Sequence, residues 1–371
     1  MPKEEGVLVE LANQVRSLWR HRPGNEIPGV ILDTFDNLRF ETKDGRRPVI
    51  VGKKKTVYGW HLVFNLPPGI SHQQVRRKQD YFADATKSWI VLTWDGGYLH
   101  MDIQCHALPH KAEYNWDPAL YSKMDLPVPV GVSQKGAEVF DLADAPHLLV
   151  AGVPGFGKSN FLHVLIMSLL PFARICIIDL KRLEFSYLAG HCLLAKTEDD
   201  ALDLLKALNQ EHDRRVGILE RAGVVKVQDY EGDDMPYIVL VVDEVAELRD
   251  EVSHLLLNRI LRLSRAAGIS VVAATQRPSV KVIDGDSRGQ FSARLCYLVA
   301  DETNSRMVLG EECSRAAWLA PIKGRGIFKF GVELKEVQTM FLPLAKAKEM
   351  VKSAGYRDWD FGQTAKRLQP R

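Results

Sequence analysis

The sequence lacks the features that mark secreted and membrane-spanning proteins. Its five cysteines contain no C-x-x-C pair, so neither a disulfide framework nor a common zinc motif is indicated. The longest apolar run, FLHVLIMSLLPFA, is shorter than the ~20 residues that cross a bilayer. The first residues, MPKEEGVLVELANQ, have no apolar signal core. We therefore expect a cytoplasmic protein without a transmembrane segment.

A strong excess of charge of either sign is absent too. The 371 residues carry a formal net charge of +2, and 46% of them are hydrophobic, which is ordinary for a globular chain. This balance neither requires nor excludes a nucleic-acid partner, because a local basic surface can lie within it. The length predicts two domains, or one large domain with a smaller companion.

Two patterns of hydrophobicity divide the chain. Residues 1–125 combine a helical spacing over 4–20 with the short strand-like runs VILDTF, LRFET, PVIVG and YGWHLVFNL. A helix is predicted to begin at Ser71, and a hairpin is predicted around Asp95-Gly96-Gly97. This part is predicted to be a small α+β N-terminal domain.

From residue 146 onward, strands alternate with helices. The apolar runs HLLVAG, RICIIDL, YIVLVVD, ISVVAAT and RLCYLVA are separated by helical segments around 158–170, 198–222 and 249–266. Near-continuous apolar strands of this kind form a parallel sheet that is covered on both faces. We therefore predict an α/β domain with a mostly parallel sheet over 126–345, followed by a C-terminal helix or tail over 346–371.

The stretch AGVPGFGKSN matches the phosphate-binding P-loop at every fixed position, between a strand and a helix. Glycines allow successive backbone N–H groups to face phosphate oxygens, and the following helix adds its positive end. The lysine would reach the β- and γ-phosphates, and the serine would bind Mg²⁺. The sequence thus predicts ATP and Mg²⁺ as ligands, and the nucleotide-binding candidates are Gly152, Gly155, Gly157, Lys158, Ser159 and Asn160.

Two further polar groups follow buried strands. In YIVLVVDEVAEL, Asp243 is predicted to hold Mg²⁺ through water, beside the ligand Ser159, and Glu244 to polarise the attacking water. The alternative, that both acids only stabilise a helix N-terminus, is less favoured in a chain with a P-loop. In ISVVAATQRPS, Gln276 is predicted to lie beside the γ-phosphate. The predicted catalytic residues at this point are Lys158, Glu244 and Gln276.

Several blocks of the chain resemble one known family. APHLLVAGVPGFGKSN, CIIDLKRLEFSY, MPYIVLVVDEVAEL, SRAAGISVVAATQRPSVKVI and NSRMVLG resemble the FtsK/SpoIIIE-type DNA translocases, P-loop ATPases of the HerA/FtsK group. The blocks occur in the family's order over residues 145–310. The resemblance implies a RecA-like motor that assembles as a hexameric ring, with ATP at each subunit interface and double-stranded DNA in the central hole.

The resemblance also implies roles for four arginines. Arg265, in LSRAAG, would complete the neighbouring subunit's active site; without the resemblance we would interpret it as an exposed cation at a helix C-terminus. Arg277, Arg288 and Arg306 would contact DNA phosphates. The chain departs from the family at Asp301-Glu302, where a lysine is common, and at Arg325, where an acidic residue is usual.

Three functions are compatible with these motifs. We favour an ATP-dependent double-stranded DNA translocase that serves the transfer, segregation or replication of a plasmid or mobile element, with a relaxase or replication protein as a possible partner. The first alternative is a motor of the same fold that moves polypeptide in a secretion system. The second is a nucleotide-gated DNA-binding scaffold that recruits a relaxase or replication protein. The segment after VQTMFL is too short for the family's winged-helix module, so we expect no directional reader.

Overall fold

A computed structural model describes residues 27–56, 59–105, 108–276, 278 and 285–353. The predicted helix over 4–20 lies outside these residues. The chain divides into two compact units. The first unit extends to residue 109 and includes 133–136, and the second comprises 110–132 together with the chain from 137 onward. Residues 110–125 thus belong to the second unit, and the domain boundary near residue 125 stays a prediction.

The first unit is an antiparallel sheet packed against helices. Its strands follow the order β1-β2-β4-β3, and neighbouring strands are antiparallel. Phe35 lies at the centre of the core, with its ring centroid 5.1 Å from that of Phe64 and 4.6 Å from that of Phe82. The elements are α1 (Ile27–Asn37), β1 (Val49–Thr56), β2 (Gly59–Asn65), α2 (His72–Arg76), α3 (Gln79–Thr86), β3 (Trp89–Asp95) and β4 (Tyr98–Gln104).

Among the sequence predictions for this unit, the runs PVIVG and YGWHLVFNL form β1 and β2 as expected, whereas the predicted strands VILDTF and LRFET are wrong, and no strand covers LRFET. The predicted strand VILDTF is instead part of α1. The buried residues of this helix, Ile27, Ile31 and Phe35, recur every fourth position, which is a helical spacing. Ser71 and Gln74 form the expected capping box of α2. The hairpin joining β3 to β4 turns at two glycines with φ of +58° and +84°, as a two-residue primed turn requires.

The second unit contains one large mixed sheet with helices. Its elements are β5 (Ala112–Glu113), β6 (Pro127–Ser133), β7 (Gly136–Asp141), β8 (His147–Ala151), α4 (Lys158–Leu169), β9 (Arg174–Ile178), β10 (Leu193–Ala195), α5 (Glu198–Ala222), β11 (Ile238–Val242), α6 (Glu251–Leu263), β12 (Ile269–Thr275), α7 (Gly285–Gln290), β13 (Ala293–Tyr297), α8 (Glu302–Leu309), β14 (Arg325–Phe330), β15 (Glu333–Phe341) and α9 (Leu344–Ser353). The five strands and three helices predicted after residue 146 are all present.

The strand order explains where a ligand can bind. The sheet runs β10-β9-β11-β12-β8-β13-β14-β15-β6-β7, with β5 beside β15. The pairs from β10 to β13 are parallel, whereas β14 is antiparallel to both of its neighbours. The predicted class, a mostly parallel α/β core preceded by a smaller α+β domain, is confirmed. Because β8, β9, β11 and β12 are parallel, the residues that follow them meet at one edge of the sheet.

One buried histidine lies away from that edge. His147 begins β8, its ring is 2% exposed, and its Nδ1 accepts a hydrogen bond from the Val271 N–H at 3.1 Å. Its Nε2 is buried as well. Burial lowers the pKa of His147 to about 4, although a backbone hydrogen bond with Leu261 opposes the shift; the nearby cation Arg265 acts in the same direction as burial.

We predict that His147 makes stability fall between about pH 6.5 and pH 4. In this window the unfolded chain binds a proton that the folded ring rejects, so stability decreases by up to ~1.4 kcal/mol per pH unit as pH falls. In urea unfolding, the free energy of unfolding of His147→Gln should change less steeply with pH, by the slope that corresponds to the uptake of about one proton. The exposed His110→Gln variant is the matched control, and an unchanged slope in His147→Gln would contradict the prediction.

Candidate nucleotide-binding site

The loop between β8 and α4 has the backbone of a phosphate cradle. Gly152 adopts φ of +153°, and a Cβ there would lie 2.6 Å from the Cβ of Tyr297 on β13. Gly157 adopts φ of +119°, and its Cβ would lie 3.2 Å from the Cα of Gly324. Gly155 also has a positive φ, +84°. A side chain at Gly152 or Gly157 would collide with the neighbouring residue and displace the loop, so glycine is required at both positions. The loop opens directly onto the N-terminus of the twelve-residue helix α4.

Three of the predicted catalytic residues converge beside this loop. The Nζ of Lys158 lies 3.5 Å from the Oε2 of Glu244. The backbone N–H of Gln276 donates to both carboxylate oxygens of Glu244, at 3.1 and 3.0 Å. Both Lys158 and Glu244 are buried. Burial lowers the pKa of Lys158, and the carboxylates of Glu244 and Asp243 oppose that shift. The ends of β8, β11 and β12 thus bring the three residues into one site.

Asp243 is placed to bind a cation. It is buried, and its Oδ1 has no hydrogen-bond partner among the described residues. Burial, with the carboxylates of Asp179 and Glu184 nearby, raises the pKa of Asp243 to about 6, although Lys158 and Lys181 oppose the shift. A buried carboxylate oxygen without a partner is the type of ligand that Mg²⁺ prefers.

The donors at this edge fit Mg²⁺ bound together with a nucleotide. Besides Asp243, the protein offers the hydroxyl of Ser159, which lies in the first turn of α4 and is the Mg²⁺ ligand of the P-loop motif. Among the described residues, no group of three or more His, Cys, Asp and Glu side chains is placed to hold a metal ion. Mg²⁺ commonly takes its remaining ligands from water and substrate phosphates, so a site with few protein ligands is suitable.

The sequence reasoning missed the turn after β9. Asp179 is 1% exposed, and its carboxylate accepts hydrogen bonds from the backbone N–H groups of Arg182 at 2.9 Å and Phe185 at 3.3 Å. These bonds shape a turn from which Lys181 extends to within 3.6 Å of the Oε2 of Glu244. The available signal was DLKRLE, a charged group directly after a buried strand, in the same position as DE after β11.

One predicted nucleotide contact is engaged elsewhere. The side-chain amide of Asn160 donates to the Leu342 carbonyl at 2.7 Å and accepts from the Leu342 N–H at 3.3 Å. This pair of bonds ties α4 to the chain after β15. Because the side chain of Asn160 is bonded to Leu342, a nucleotide contact of Asn160 stays a prediction for its backbone N–H.

Arg265 lies at the other end of the sheet. It is exposed, it follows α6, and its Nη2 donates to the Asp144 carbonyl at 3.4 Å. Its position precedes β12, whereas Gln276 follows that strand. Seven residues of strand span roughly 23 Å. Arg265 therefore does not reach the nucleotide site of its own chain.

The described DNA-contact candidates lie on neighbouring helices. The Nη1 of Arg288, on α7, lies 3.5 Å from the Met307 carbonyl of α8. Arg306, also on α8, pairs with Glu302 at 2.6 Å. Arg277 lies outside the described residues.

The two departures from the family pattern have local partners. Asp301 caps α8 by accepting from the Asn304 N–H, and Glu302 binds Arg306 and the indole N–H of Trp318. Arg325 is buried and pairs with Glu336 at 2.9 Å. Glu302 and Arg325 thus each have an oppositely charged partner, whereas the carboxylate of Asp301 accepts from amide groups of Asn304.

Known proteins are similar to this chain over the residues that include the phosphate loop. Residues 113–235 match the sequence model of the FtsK/SpoIIIE family. A DNA translocase FtsK of Chlorobaculum tepidum is 33% identical over 214 residues, which are 51% of this chain and 27% of the relative. One from Rickettsia prowazekii is 30% identical over 280 residues, 62% of this chain and 37% of the relative. The predicted resemblance is confirmed, and the chain spans well under half the length of these relatives.

Solved structures share the fold. The conjugation coupling protein TcpA of pCW3, determined as a monomer with ATPγS, superposes with a TM-score of 0.62 at 24% identity, covering 89% of this chain and all of that one. The cytoplasmic domain of the type VII secretion ATPase EccC of Thermomonospora curvata gives 0.56 at 24% identity, covering 68% of this chain and 34% of its own. At these identities the likeness extends to the fold alone. None of the helices in the described ranges has the length and hydrophobicity needed to cross a membrane.

We predict that Asp243→Asn stabilises the nucleotide-free protein. Because the folded carboxyl has a pKa of about 6, the ionised form costs stability that increases as pH rises through that value. Removal of the charge should raise the free energy of unfolding by about 2 kcal/mol at pH 8 with EDTA present. Urea unfolding measures this change. Asp199→Asn, on the exposed first turn of α5, is the control, and a destabilised Asp243→Asn would contradict the prediction.

Proposed function

We propose that this chain, which carries an FtsK/SpoIIIE-type domain, is a cytoplasmic ATPase that translocates double-stranded DNA during the transfer, segregation or replication of a plasmid or mobile element. The observation that carries the proposal is the convergence of Lys158, Asp243 and Glu244 beside a glycine loop at the edge of a parallel sheet. This arrangement can bind a triphosphate and activate water next to it. The similarity to DNA translocases supports DNA as the substrate that is moved.

Each site residue has a distinct part in the proposed hydrolysis. The loop N–H groups and Lys158 bind the phosphates, and Gln276 lies beside the terminal one. Glu244, oriented by the Gln276 N–H, accepts a proton from the attacking water. Ser159 and Asp243 would hold Mg²⁺, which neutralises charge on the phosphate oxygens when it is bound.

The position of Arg265 supports a ring of subunits. Since Arg265 and the nucleotide site lie at opposite ends of β12, the guanidinium can only complete the site of another copy. A permanently charged, planar group suits the charge that develops on the transferred phosphoryl group. We propose a homo-hexamer, in which hydrolysis at one interface moves a neighbouring subunit.

DNA contact is proposed for Arg277, Arg288 and Arg306. Arg288 and Arg306 lie on adjacent helices, so they can reach one stretch of backbone. Contacts to phosphates suit a motor that moves over any sequence. A relaxase or replication protein is the proposed partner for loading. The polypeptide-moving motor and the nucleotide-gated scaffold remain the alternative functions, and the next experiments distinguish them.

We predict that duplex DNA stimulates ATP hydrolysis and that the protein displaces a third strand from a triplex. Lys158→Ala should lose nucleotide affinity as well as hydrolysis, because it removes the cation that binds the phosphates. Glu244→Gln should retain affinity for ATPγS and lose at least ~100-fold in kcat, because only water activation is removed. Hydrolysis, fluorescent-nucleotide binding and triplex displacement are the three measurements.

The outcomes separate the three functions. Lys206→Ala, an exposed lysine on α5, is the control for loss of positive charge. ATPase activity that ignores DNA and rises with a peptide would favour the secretion motor. Slow hydrolysis without strand displacement would favour the scaffold. A fully active Lys158→Ala protein would contradict all three.

We predict that Arg265→Ala inactivates its neighbours. Arg265→Ala leaves the variant's own phosphate loop intact, so it should bind ATPγS normally. Because the site of the neighbouring copy then lacks its arginine, ATP hydrolysis should be at least ~100-fold slower. Mixing Arg265→Ala with Glu244→Gln should restore hydrolysis, since some interfaces then combine an intact glutamate with an intact arginine. Steady-state hydrolysis of the mixture measures this recovery, and an inactive mixture at every ratio would contradict an arginine supplied by a neighbour.

A further inference from the structure

The carboxylate of Glu244 is contacted by two lysines from different elements. Lys158 belongs to the first turn of α4, and its Nζ lies 3.5 Å from the Oε2 of Glu244. Lys181 comes from the turn after β9, and its Nζ lies 3.6 Å from the same oxygen. The P-loop motif accounts for Lys158. The proposed hydrolysis gives no part to Lys181.

The turn is built to present Lys181 at this place. Asp179 is fully enclosed, and its two carboxylate oxygens accept the N–H groups of Arg182 and Phe185. Arg182 adopts φ of +62°, which is uncommon for a residue with a side chain. Its Nε donates to the Lys196 carbonyl beyond β10 at 2.9 Å. The backbone on both sides of Lys181 is therefore held in place.

The surroundings of Glu244 make a second cation necessary once nucleotide binds. The side chain of Glu244 is 6% exposed, and Asp243 and Asp179 follow strands at the same edge of the sheet. When Lys158 binds phosphate, Glu244 loses that partner while further negative charge enters the site. The Gln276 N–H remains bonded to Glu244 but is neutral, and a buried carboxylate without a cationic partner is unfavourable. Lys181 is the other cation in contact with this carboxylate among the described residues.

We propose that Lys181 is a positioning residue that holds the Glu244 carboxylate in place when Lys158 is engaged by nucleotide. This inference rests on the proposed function, in which Glu244 activates water. Lys181 acts through Glu244, so its removal affects the hydrolytic step more than nucleotide binding. A lysine that bound the phosphates directly would instead contribute mainly to affinity.

The test compares kcat with KM in matched variants. Lys181→Met should lower kcat about tenfold while KM changes less than threefold. Lys181→Arg should recover at least a third of the activity, because it restores the charge. The control Lys206→Met should behave as the wild type. In the Glu244→Gln background, Lys181→Met should produce no further loss, since the carboxylate that it positions is gone.

A second measurement tests the contact without relying on hydrolysis. In the nucleotide-free protein, Lys181→Met should lower the melting temperature, and the same change should have a smaller effect when Glu244 is already Gln. Coupled melting temperatures with no ATPase activity would support the contact and refute the proposed function. Independent, multiplying effects of Lys181→Met and Glu244→Gln, or a rise of more than tenfold in KM with unchanged kcat, would overturn the inference.

Discussion

The architecture of the nucleotide site depends on the charge balance around Glu244. Its carboxylate lies between Lys158 and Lys181 and is fixed by the N–H that follows β12. These groups meet only if β8, β11 and β12 end at the same edge of the sheet as β9, which leads into the turn that carries Lys181. The register of the sheet provides this, because β11 pairs in parallel with both β9 and β12. A shift of one residue in any of these pairs would move a side chain to the opposite face.

That balance is maintained at a cost to stability. The site contains Asp179, Asp243 and Glu244 within the sheet edge, and the Oδ1 of Asp243 has no partner. The raised pKa of Asp243 and the lowered pKa of Lys158 both express the unfavourable burial of charge. Natural proteins retain such groups at functional sites, where a ligand supplies the missing interactions. The proposed triphosphate and Mg²⁺ would do so here, since one binds the lysine and the other binds the aspartate.

The fold of the second unit could be predicted from the sequence because its signals agree with one another. Apolar strands, glycine punctuation and amphipathic helices all indicate a parallel sheet, and Asp243 follows a strand whose five residues are all buried. The first unit was harder: VILDTF contains an apolar run that suits a strand, and the helix shows only when Ile27, just before the run, is counted with Ile31 and Phe35 at a spacing of four. The role of Lys181 could not be predicted, since its partner Glu244 is far away in sequence and the contact depends on strand order. The commitment of Asn160 to Leu342 was hidden for the same reason.

The two ends of β12 connect the site with its proposed partners. At the carboxyl end, the Gln276 N–H holds Glu244, and at the amino end Arg265 lies on the surface. Every residue of the strand between them is buried, and both of its neighbours pair with it in parallel. In the proposed hydrolysis, a displacement of Glu244 would be transmitted along β12, because close-packed interiors transmit strain. The strand is thus the direct route by which a change at the nucleotide would reach the surface that carries Arg265.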